Sequence, residues 1–137
     1  MIREIQLKDK EQWEKLYRGY ADFYKVEMND KILQTVWNWL HDKSHEVEGL
    51  VYEAEDKIVG LAHYRRMPSP LRGQYIGFLD DLFLDPKYRG QKIGEKLINK
   101  MKEISNSRGW NLVRWITRNN NTRAKSLYDR VSEKTTW

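Results

Sequence analysis

The stretch "FLDDLFLDPKYRGQKIGEKL" occupies residues 78–97 and decides how the chain folds. Its first part ends a long run, residues 74–84, that is almost wholly apolar except for Asp80 and Asp81, as in a buried strand. Asp85-Pro86 ends this strand, because proline cannot donate to a strand ladder. Apolar residues then recur at helical spacing, at Ile93, Leu97, Ile98, Met101 and Ile104. The stretch therefore predicts a strand, a basic glycine-bearing loop and a helix in direct succession.

The loop at the start of this helix predicts an anion-binding site. A helix N-terminus leaves about four backbone N–H groups without intrahelical partners and carries roughly half a positive charge. Gly90 and Gly94 let the backbone approach a phosphate closely, and Arg89 and Lys92 add positive charge. An ordinary exposed turn with basic side chains is the alternative for this loop taken alone.

The rest of the chain alternates between strand and helix patterns. The predicted elements begin with a strand at 2–7, a helix from Asp9, whose side chain can cap it, and a helix after Asp30. A hairpin at 48–67, with a tight turn at 55–57, and a break at 68–73 come next. The strand and helix described above are followed by a strand at 111–117 and a helix that the asparagines at 119–121 begin. No linker or repeat divides this order. We therefore expect one α/β domain over residues 1–137, with element order β-α-α-β-β-β-α-β-α.

Composition excludes several classes of protein. The chain has 137 residues and no cysteine, so disulfides, thiolate metal sites and a cysteine nucleophile are excluded. The three histidines show no metal-ligand spacing, so we expect no metal. The first residues lack the apolar core of a signal peptide, and no run approaches the length of a membrane span. We expect a cytoplasmic protein without a membrane partner.

Charge is distributed unevenly along the chain. Residues 1–86 carry a net charge of −4 and residues 87–137 a net charge of +9, which together give the overall +5. The basic part suits an anion and the acidic part a cation. Two solvated faces are the alternative, and a basic nucleic-acid-binding module is a second one, although no nucleic-acid-binding motif is present.

Three segments together resemble the GNAT superfamily of acyl-CoA-dependent N-acyltransferases. "FLDDLFLDPKYRG" (78–90) matches the family's fourth strand and its exit turn, and "NTRAKSLY" (121–128) the helix after the fifth strand. The family signature Arg/Gln-x-x-Gly-x-Gly/Ala falls on "RGQKIG" (89–94), with Lys92 in place of the first signature glycine. "LYRGYADFY" (16–24) and "FLDD" make the chain most similar to small members that acetylate polyamines and related amines.

The resemblance implies an α/β (α+β) GNAT-like fold. Its central sheet would be mixed, mostly antiparallel and splayed between the fourth and fifth strands, with four flanking helices. Family members continue past the fourth helix with one or two strands, whereas only about one short strand fits after Asp129. We therefore expect the domain to lack the family's last strand. A partner chain that completes the sheet, in a homodimer, is one explanation.

The resemblance also implies acetyl-CoA as the acyl donor. The pyrophosphate would lie on the glycine loop, the pantetheine arm would pair with the backbone of the fourth strand, and a backbone N–H of that strand would bind the thioester carbonyl. The cofactor-binding residues implied are Leu82, Phe83, Leu84, Arg89, Gly90, Gln91, Lys92, Ile93, Gly94, Glu95, Asn121 and Tyr128.

Three residues are implied to be catalytic. Tyr128 matches the family's general acid, which returns a proton to the CoA thiolate; a core aromatic is the alternative. Asp80 and Asp81 are candidates to attract an ammonium group and accept its proton, with strand-end capping as the alternative. Adjacent strand residues point to opposite faces, so equal roles would require a bulge, which this strand commonly has in the family.

The acceptor is expected to be a primary amine on a cationic small molecule. Aromatic faces and carboxylates bind such a cation, and the first two helices are rich in aromatic residues. The substrate-binding residues proposed are Tyr20, Phe23, Tyr24, Trp37, Asp80 and Asp81. Most other aromatic residues are expected in the core. His63 could border the site, with a structural role favoured, and an acyl-CoA sensor without turnover remains an alternative function.

Overall fold

The computed structural model describes residues 1–115. Its elements are β1 (Ile2–Glu4), α1 (Lys10–Tyr24), α2 (Asp30–His41), β2 (Glu48–Ala54), β3 (Lys57–Ser69), β4 (Gln74–Leu84), α3 (Ile93–Ser107) and β5 (Val113–Trp115), with short 3-10 turns at Leu7–Asp9 and Pro86–Tyr88. The predicted order is confirmed over this range. The predicted fourth helix and any later strand lie outside the described residues.

The five strands form one open, mixed sheet in the order β1-β2-β3-β4-β5. The first three pairings are antiparallel, and β4 pairs with β5 in parallel. This is the mixed, mostly antiparallel sheet expected from the sequence. Short turns join β2 to β3 and β3 to β4, whereas α1 and α2 lie between β1 and β2. α3 makes the crossover that the parallel pair of β4 and β5 requires.

Apolar side chains pack on both faces of the sheet. On one face, Leu97, Ile98 and Met101 of α3 are fully buried against β3 and β4. On the other, α1 and α2 bury Trp13 and Leu33 against the strands. Each such side chain contributes about 1.5–3 kcal/mol of burial free energy. The apolar periodicity of the three helices thus identified their inward faces.

The β2–β3 hairpin turns at Glu55 and Asp56, whose φ angles are +53° and +63°. Two left-handed residues in succession are characteristic of a tight hairpin turn, since they match the twist of the flanking strands. The predicted break at 68–73 is partly wrong. β3 continues through Pro68 to Ser69, because Tyr75 and Gln74 of β4 pair with these residues.

Asp9 does not cap α1 with its side chain, contrary to expectation. Its buried carboxylate instead accepts hydrogen bonds from the Arg3 guanidinium, at 2.7 and 2.9 Å, and from the Gln6 N–H at 2.7 Å. A guanidinium offers two parallel charge-assisted bonds, and these compete successfully with the helix N–H groups. Asp9 therefore joins β1 to the start of α1.

Candidate active site

A β-bulge in β4 determines where its two aspartates point. His63 of β3 pairs with Asp81 and Tyr64 pairs with Leu79, so Asp80 is an extra residue without a counterpart. In a regular strand Asp81 would share a face with Leu79, which packs against α3. The bulge instead turns Asp81 to the opposite face, where it contacts Tyr17 of α1. The bulge that the family resemblance implied for this strand is therefore present.

Asp81 lies in a network of hydrogen-bond donors. Its Oδ2 accepts from the Tyr17 hydroxyl at 2.9 Å and lies 2.8 Å from Nδ1 of His63, and the side chain is 17% exposed. Burial alone would raise the pKa of this carboxyl. The donors His63, Tyr17 and Tyr20 outweigh burial and lower the pKa of Asp81 below its ordinary value. Asp81 is therefore held as a carboxylate.

Asp80 has a different environment although it is the adjacent residue. Its side chain is 29% exposed, and its two carboxylate oxygens lie 3.2 and 3.1 Å from Nε of Arg65. Burial raises the pKa of Asp80 above its ordinary value, and the charge of Asp81 adds to this, against the opposing effect of Arg65. The pKa of Asp80 is thus raised and that of Asp81 lowered. Opposite shifts of this kind suit Asp80 as a proton acceptor and Asp81 as a fixed charge.

An aromatic group flanks the aspartates. It consists of Tyr20, Phe23 and Tyr24 of α1 and Phe83 of β4, with ring centroids of neighbouring members 4.8–6.3 Å apart. Phe23 is 47% exposed, so this group reaches the surface. Trp37, the other aromatic residue proposed for substrate binding, lies in the core with its ring 5.2 Å from that of Trp13.

The glycine loop lies against the same aromatic group. The Arg89 guanidinium lies 5.2 Å from the ring centroid of Phe23 and 5.4 Å from that of Phe83. This distance is within cation–π range. The contact of Arg89 with Phe23 therefore places the predicted anion loop next to the predicted amine-binding residues.

The start of α3 has the features of an anion site. Its N-cap residue Lys92 makes no side-chain capping bond, and the Lys96 N–H bonds to the Lys92 carbonyl at 3.1 Å. The N–H groups of Ile93, Gly94 and Glu95 therefore have no intrahelical partner. Gln91 and Gly90 are exposed in the loop before the helix, and Gly90 has φ of +87°. These residues fit a phosphate group.

Backbone groups of β4 beyond the bulge alternate between β3 and the opposite edge. The Asp85 N–H bonds to the Val59 carbonyl, and Phe83 pairs with Leu61 in the same register. By the alternation of an antiparallel ladder, Phe83 directs its N–H and C=O toward β3. Leu82 and Leu84 direct theirs toward the other edge. Of the three residues predicted to pair with pantetheine, these two have the required direction.

β5 pairs with β4 at Gly77, Phe78 and Leu79, immediately before the bulge. Asn121 and Tyr128 lie outside the described residues, and their assignments stay predictions. Within residues 1–115, no group of potential ligands could hold a metal ion, and no helix combines the length and hydropathy needed to span a bilayer.

A surface cleft of about 230 Å³ lies apart from these residues. It is lined by the α2–β2 connection, Arg66 of β3, and Arg108 and Trp110 after α3. Arg108 is already paired with Glu48, which offsets part of the positive charge. Of the residues proposed for catalysis or binding, none of those within residues 1–115 lines this cleft.

Tyr17 and Arg65, which bond the aspartates, and Trp13, which bonds His63, were not assigned to the site from the sequence. Tyr17 and Trp13 belong to the aromatic pattern of α1 and resemble core residues, which they also are. Arg65 lies two residues after His63 on a strand, and this spacing places both on one face. That spacing could have predicted that Arg65 lies near the site.

Comparison with known proteins gives a consistent result. Residues 13–132 match the sequence model described as the acetyltransferase (GNAT) family. A D-amino-acid N-acetyltransferase of Saccharomyces cerevisiae is 28% identical over 137 residues, covering 98% of this chain and 85% of the yeast enzyme. A thialysine N-epsilon-acetyltransferase of Bos taurus is 37% identical over 71 residues, covering 52% of this chain and 41% of the bovine enzyme.

Solved structures share the fold. One described as a probable acetyltransferase superposes with a TM-score of 0.87 at 16% identity, covering 100% of this chain and 91% of the other. An aminoglycoside N-acetyltransferase in complex with CoA superposes with a TM-score of 0.83 at 17% identity, covering 100% and 89%.

Proposed function

Because the chain belongs to the acetyltransferase (GNAT) family, we propose that it transfers the acetyl group of acetyl-CoA to a primary amine of a cationic small molecule. The observation that carries this proposal is the β4 bulge, which turns Asp81 toward the aromatic group while Asp80 stays beside it. The yeast and bovine relatives, named for amino-acid acceptors, support the choice of a small amine. The single domain over residues 1–137 and a cytoplasmic location are part of the proposal.

The residues at the start of α3 would hold the pyrophosphate of acetyl-CoA. The N–H groups of Ile93, Gly94 and Glu95 would donate to phosphate oxygens, and Arg89 and Lys92 would add positive charge. Leu82 and Leu84 would bond the pantetheine amides through their outward backbone groups. Acetyl-CoA supplies the activated thioester, and the chain supplies the surface on which it is oriented.

The aspartates and the aromatic group would prepare the amine. An alkylammonium has a pKa of about 10, so it must lose a proton before it can attack. Asp81, held as a carboxylate, attracts the cation, and the faces of Tyr20 and Phe23 support it. Asp80, with its raised pKa, accepts the proton directly or through water. Tyr128 remains the proposed donor to the departing thiolate, on the strength of the resemblance.

A two-step assay tests this function. A thermal-shift titration with acetyl-CoA comes first, because a ligand that binds the folded state raises its apparent Tm. Thiol release is then followed with a panel containing a diamine, lysine, an aminoglycoside and a peptide N-terminus. We expect a shift and release with one cationic class. Asp81→Asn should lower release, whereas Asp22→Asn, an exposed control on α1, should not.

Two outcomes would point elsewhere. A shift without thiol release from any amine would favour an acyl-CoA sensor. The absence of a shift at saturating acetyl-CoA would refute the loop assignment and direct attention to nucleic acid, whose binding would weaken steeply with salt.

A further inference from the structure

His63 lies at the centre of a buried row of polar groups that joins the core to the candidate active site. The indole N–H of Trp13 donates to its Nε2 at 3.0 Å, and its Nδ1 lies 2.8 Å from Oδ2 of Asp81. His63 is 1% exposed and Trp13 is fully buried. The row therefore connects a core tryptophan on α1 with the bulged strand through a residue of β3.

The protonation state of His63 follows from these partners. An indole N–H is a donor only, so the Nε2 atom that accepts from it carries no hydrogen. A neutral imidazole then carries its hydrogen on Nδ1, where it donates to the Asp81 carboxylate. The ring is also confined sideways, because it meets the Tyr17 ring edge-on at 4.7 Å between centroids.

Several donors converge on the Asp81 carboxylate. Its Oδ2 receives both His63 and the Tyr17 hydroxyl, and Tyr20 is a third side-chain donor to the carboxylate. A carboxylate offers about four acceptor positions, so capacity remains for a further donor. Among the described residues, the charged and titratable groups close to His63 include Asp81, Asp80 and Tyr17.

We propose that His63 is a positioning residue, locked by Trp13 as the Nδ1–H tautomer, which orients the Asp81 carboxylate to receive the ammonium of the acceptor. This proposal rests on the proposed function. Because His63 and Trp13 are inaccessible, they touch neither the amine nor acetyl-CoA. Their effect on the reaction passes through the orientation of Asp81.

Three substitutions of His63 separate positioning from core packing. Asn places an amide N–H near the position of Nδ1, Gln places its amide near Nε2, and Leu has no polar group. We expect His63→Leu and His63→Gln to lower kcat/KM by about 10- to 100-fold, the cost of a misplaced catalytic group. His63→Asn should retain most of the activity, although all three remove the ring from the core.

Each variant is first checked for folding by circular dichroism and Tm, and His45→Leu serves as a control histidine. His45 stacks on Trp39 at 4.7 Å, away from the aspartates, and its replacement should leave kcat/KM unchanged. Equal activity of His63→Leu and the wild type would overturn the positioning role. The positioning role would also be overturned if kcat/KM fell equally in all three variants and in proportion to their Tm, since lost core packing alone would explain that result.

Nitrogen-15 NMR of the folded wild-type protein tests the tautomer without catalysis. We expect the His63 Nδ1 to be protonated and Nε2 to be unprotonated, as the indole donor to Nε2 requires. Protonation at Nε2 would overturn the proposal. The NMR result and the thiol-release assay can also disagree. If the Nδ1–H tautomer is found but no amine causes thiol release, the proposed function is overturned, and with it the positioning role of His63.

Discussion

Lys92 stands at a backbone position that L-amino acids disfavour. Its φ is +63°, in the left-handed region. This is the position of the first glycine in the GNAT signature. A side chain there costs about 1–2 kcal/mol, because Cβ approaches the following carbonyl. The strain lies in the loop that precedes α3, beside the unpaired N–H groups that we propose for a phosphate.

We predict that Lys92→Gly stabilises the protein by about 0.5–1 kcal/mol, since strain is relieved at the expense of some unfolded-state entropy. Chemical denaturation would measure the change. Lys87→Gly is the matched control, because Lys87 does not have a positive φ and its replacement should destabilise. A loss of stability in Lys92→Gly would contradict the prediction.

Arg65 is the residue that restrains the pKa of Asp80. Its charge and hydrogen bonds favour the carboxylate, so Arg65→Gln should raise the pKa of Asp80 further. If Asp80 must be ionised to accept a proton, the acidic limb of the kcat/KM profile should move to higher pH. Arg66→Gln is the control, since its guanidinium lies over Tyr75 at 4.3 Å. An unmoved limb in Arg65→Gln would argue against Asp80 as the acceptor.

Tyr128→Phe tests the proposed general acid. Loss of the hydroxyl should lower kcat by about 100-fold, within the range of general acid catalysis, while the Kd for acetyl-CoA stays nearly unchanged. Single-turnover kinetics and calorimetry would measure the two quantities. Unchanged turnover would remove Tyr128 from this role.

Among the elements, β4 contributes most to the site. Its bulge changes the face on which every following residue lies, so that Asp81 and Phe83 meet α1 while Leu82 and Leu84 pack toward α3. In the proposed reaction, this one extra residue would supply both a charged pair for the amine and an outward backbone edge for the acyl donor.

The N-terminus of α3 is tested by Gly94→Val. Gly94 is buried in the first turn, and a branched side chain there would obstruct the approach of a phosphate to the free N–H groups. We expect the Kd for CoA to rise by at least about tenfold, equivalent to 1.4 kcal/mol. Asn99→Val, an exposed position later in α3, should bind CoA normally. Normal affinity in Gly94→Val would contradict the phosphate-loop assignment.

At the scale of the whole molecule, buried carboxylates set the response to acid. Burial opposes ionisation of Asp9, but Arg3 and the Gln6 N–H outweigh it and hold its pKa below the ordinary value. A lowered pKa contributes stability above the unfolded-state value, which is lost as pH falls through the folded-state value. Asp81 acts in the same direction, whereas the raised pKa of Asp80 contributes stability that is lost as pH rises.

We predict that Asp9→Asn lowers the free energy of unfolding at pH 7 by about 1–3 kcal/mol, because the bidentate bond to Arg3 is lost. The further loss of stability as pH falls below about 5 should be smaller than in the wild type. Urea denaturation at several pH values would measure both effects, with Asp22→Asn as the exposed control. An unchanged acid response would show that Asp9 does not determine it.

The predicted homodimer also belongs to this scale and stays a prediction. At the β1 edge, the strand is only three residues long and carries Arg3 and Glu4, features that discourage edge-to-edge pairing. Sedimentation equilibrium would establish the oligomeric state.

Local periodicity and turn chemistry fixed the order of elements over residues 1–115 and the inward faces of the helices. The anion loop was inferred from the same kind of local pattern and stays a prediction. The sequence also showed that two aspartates interrupt an apolar strand, and it carried the family resemblance. The predicted end of β3 was too early. A proline usually ends a strand, but pairing with β4 extends β3 through Pro68 to Ser69.

Only the tertiary structure decided which way the aspartates face and what holds them. The bulge at Asp80 arises from the register between β3 and β4, and Asp9 turns to Arg3 because β1 lies beside it. Trp13 and His63 are 50 residues apart, and their hydrogen bond exists only once α1 has packed on β3. Local patterns specify elements, whereas the pKa of a carboxyl depends on the distant groups that folding brings around it.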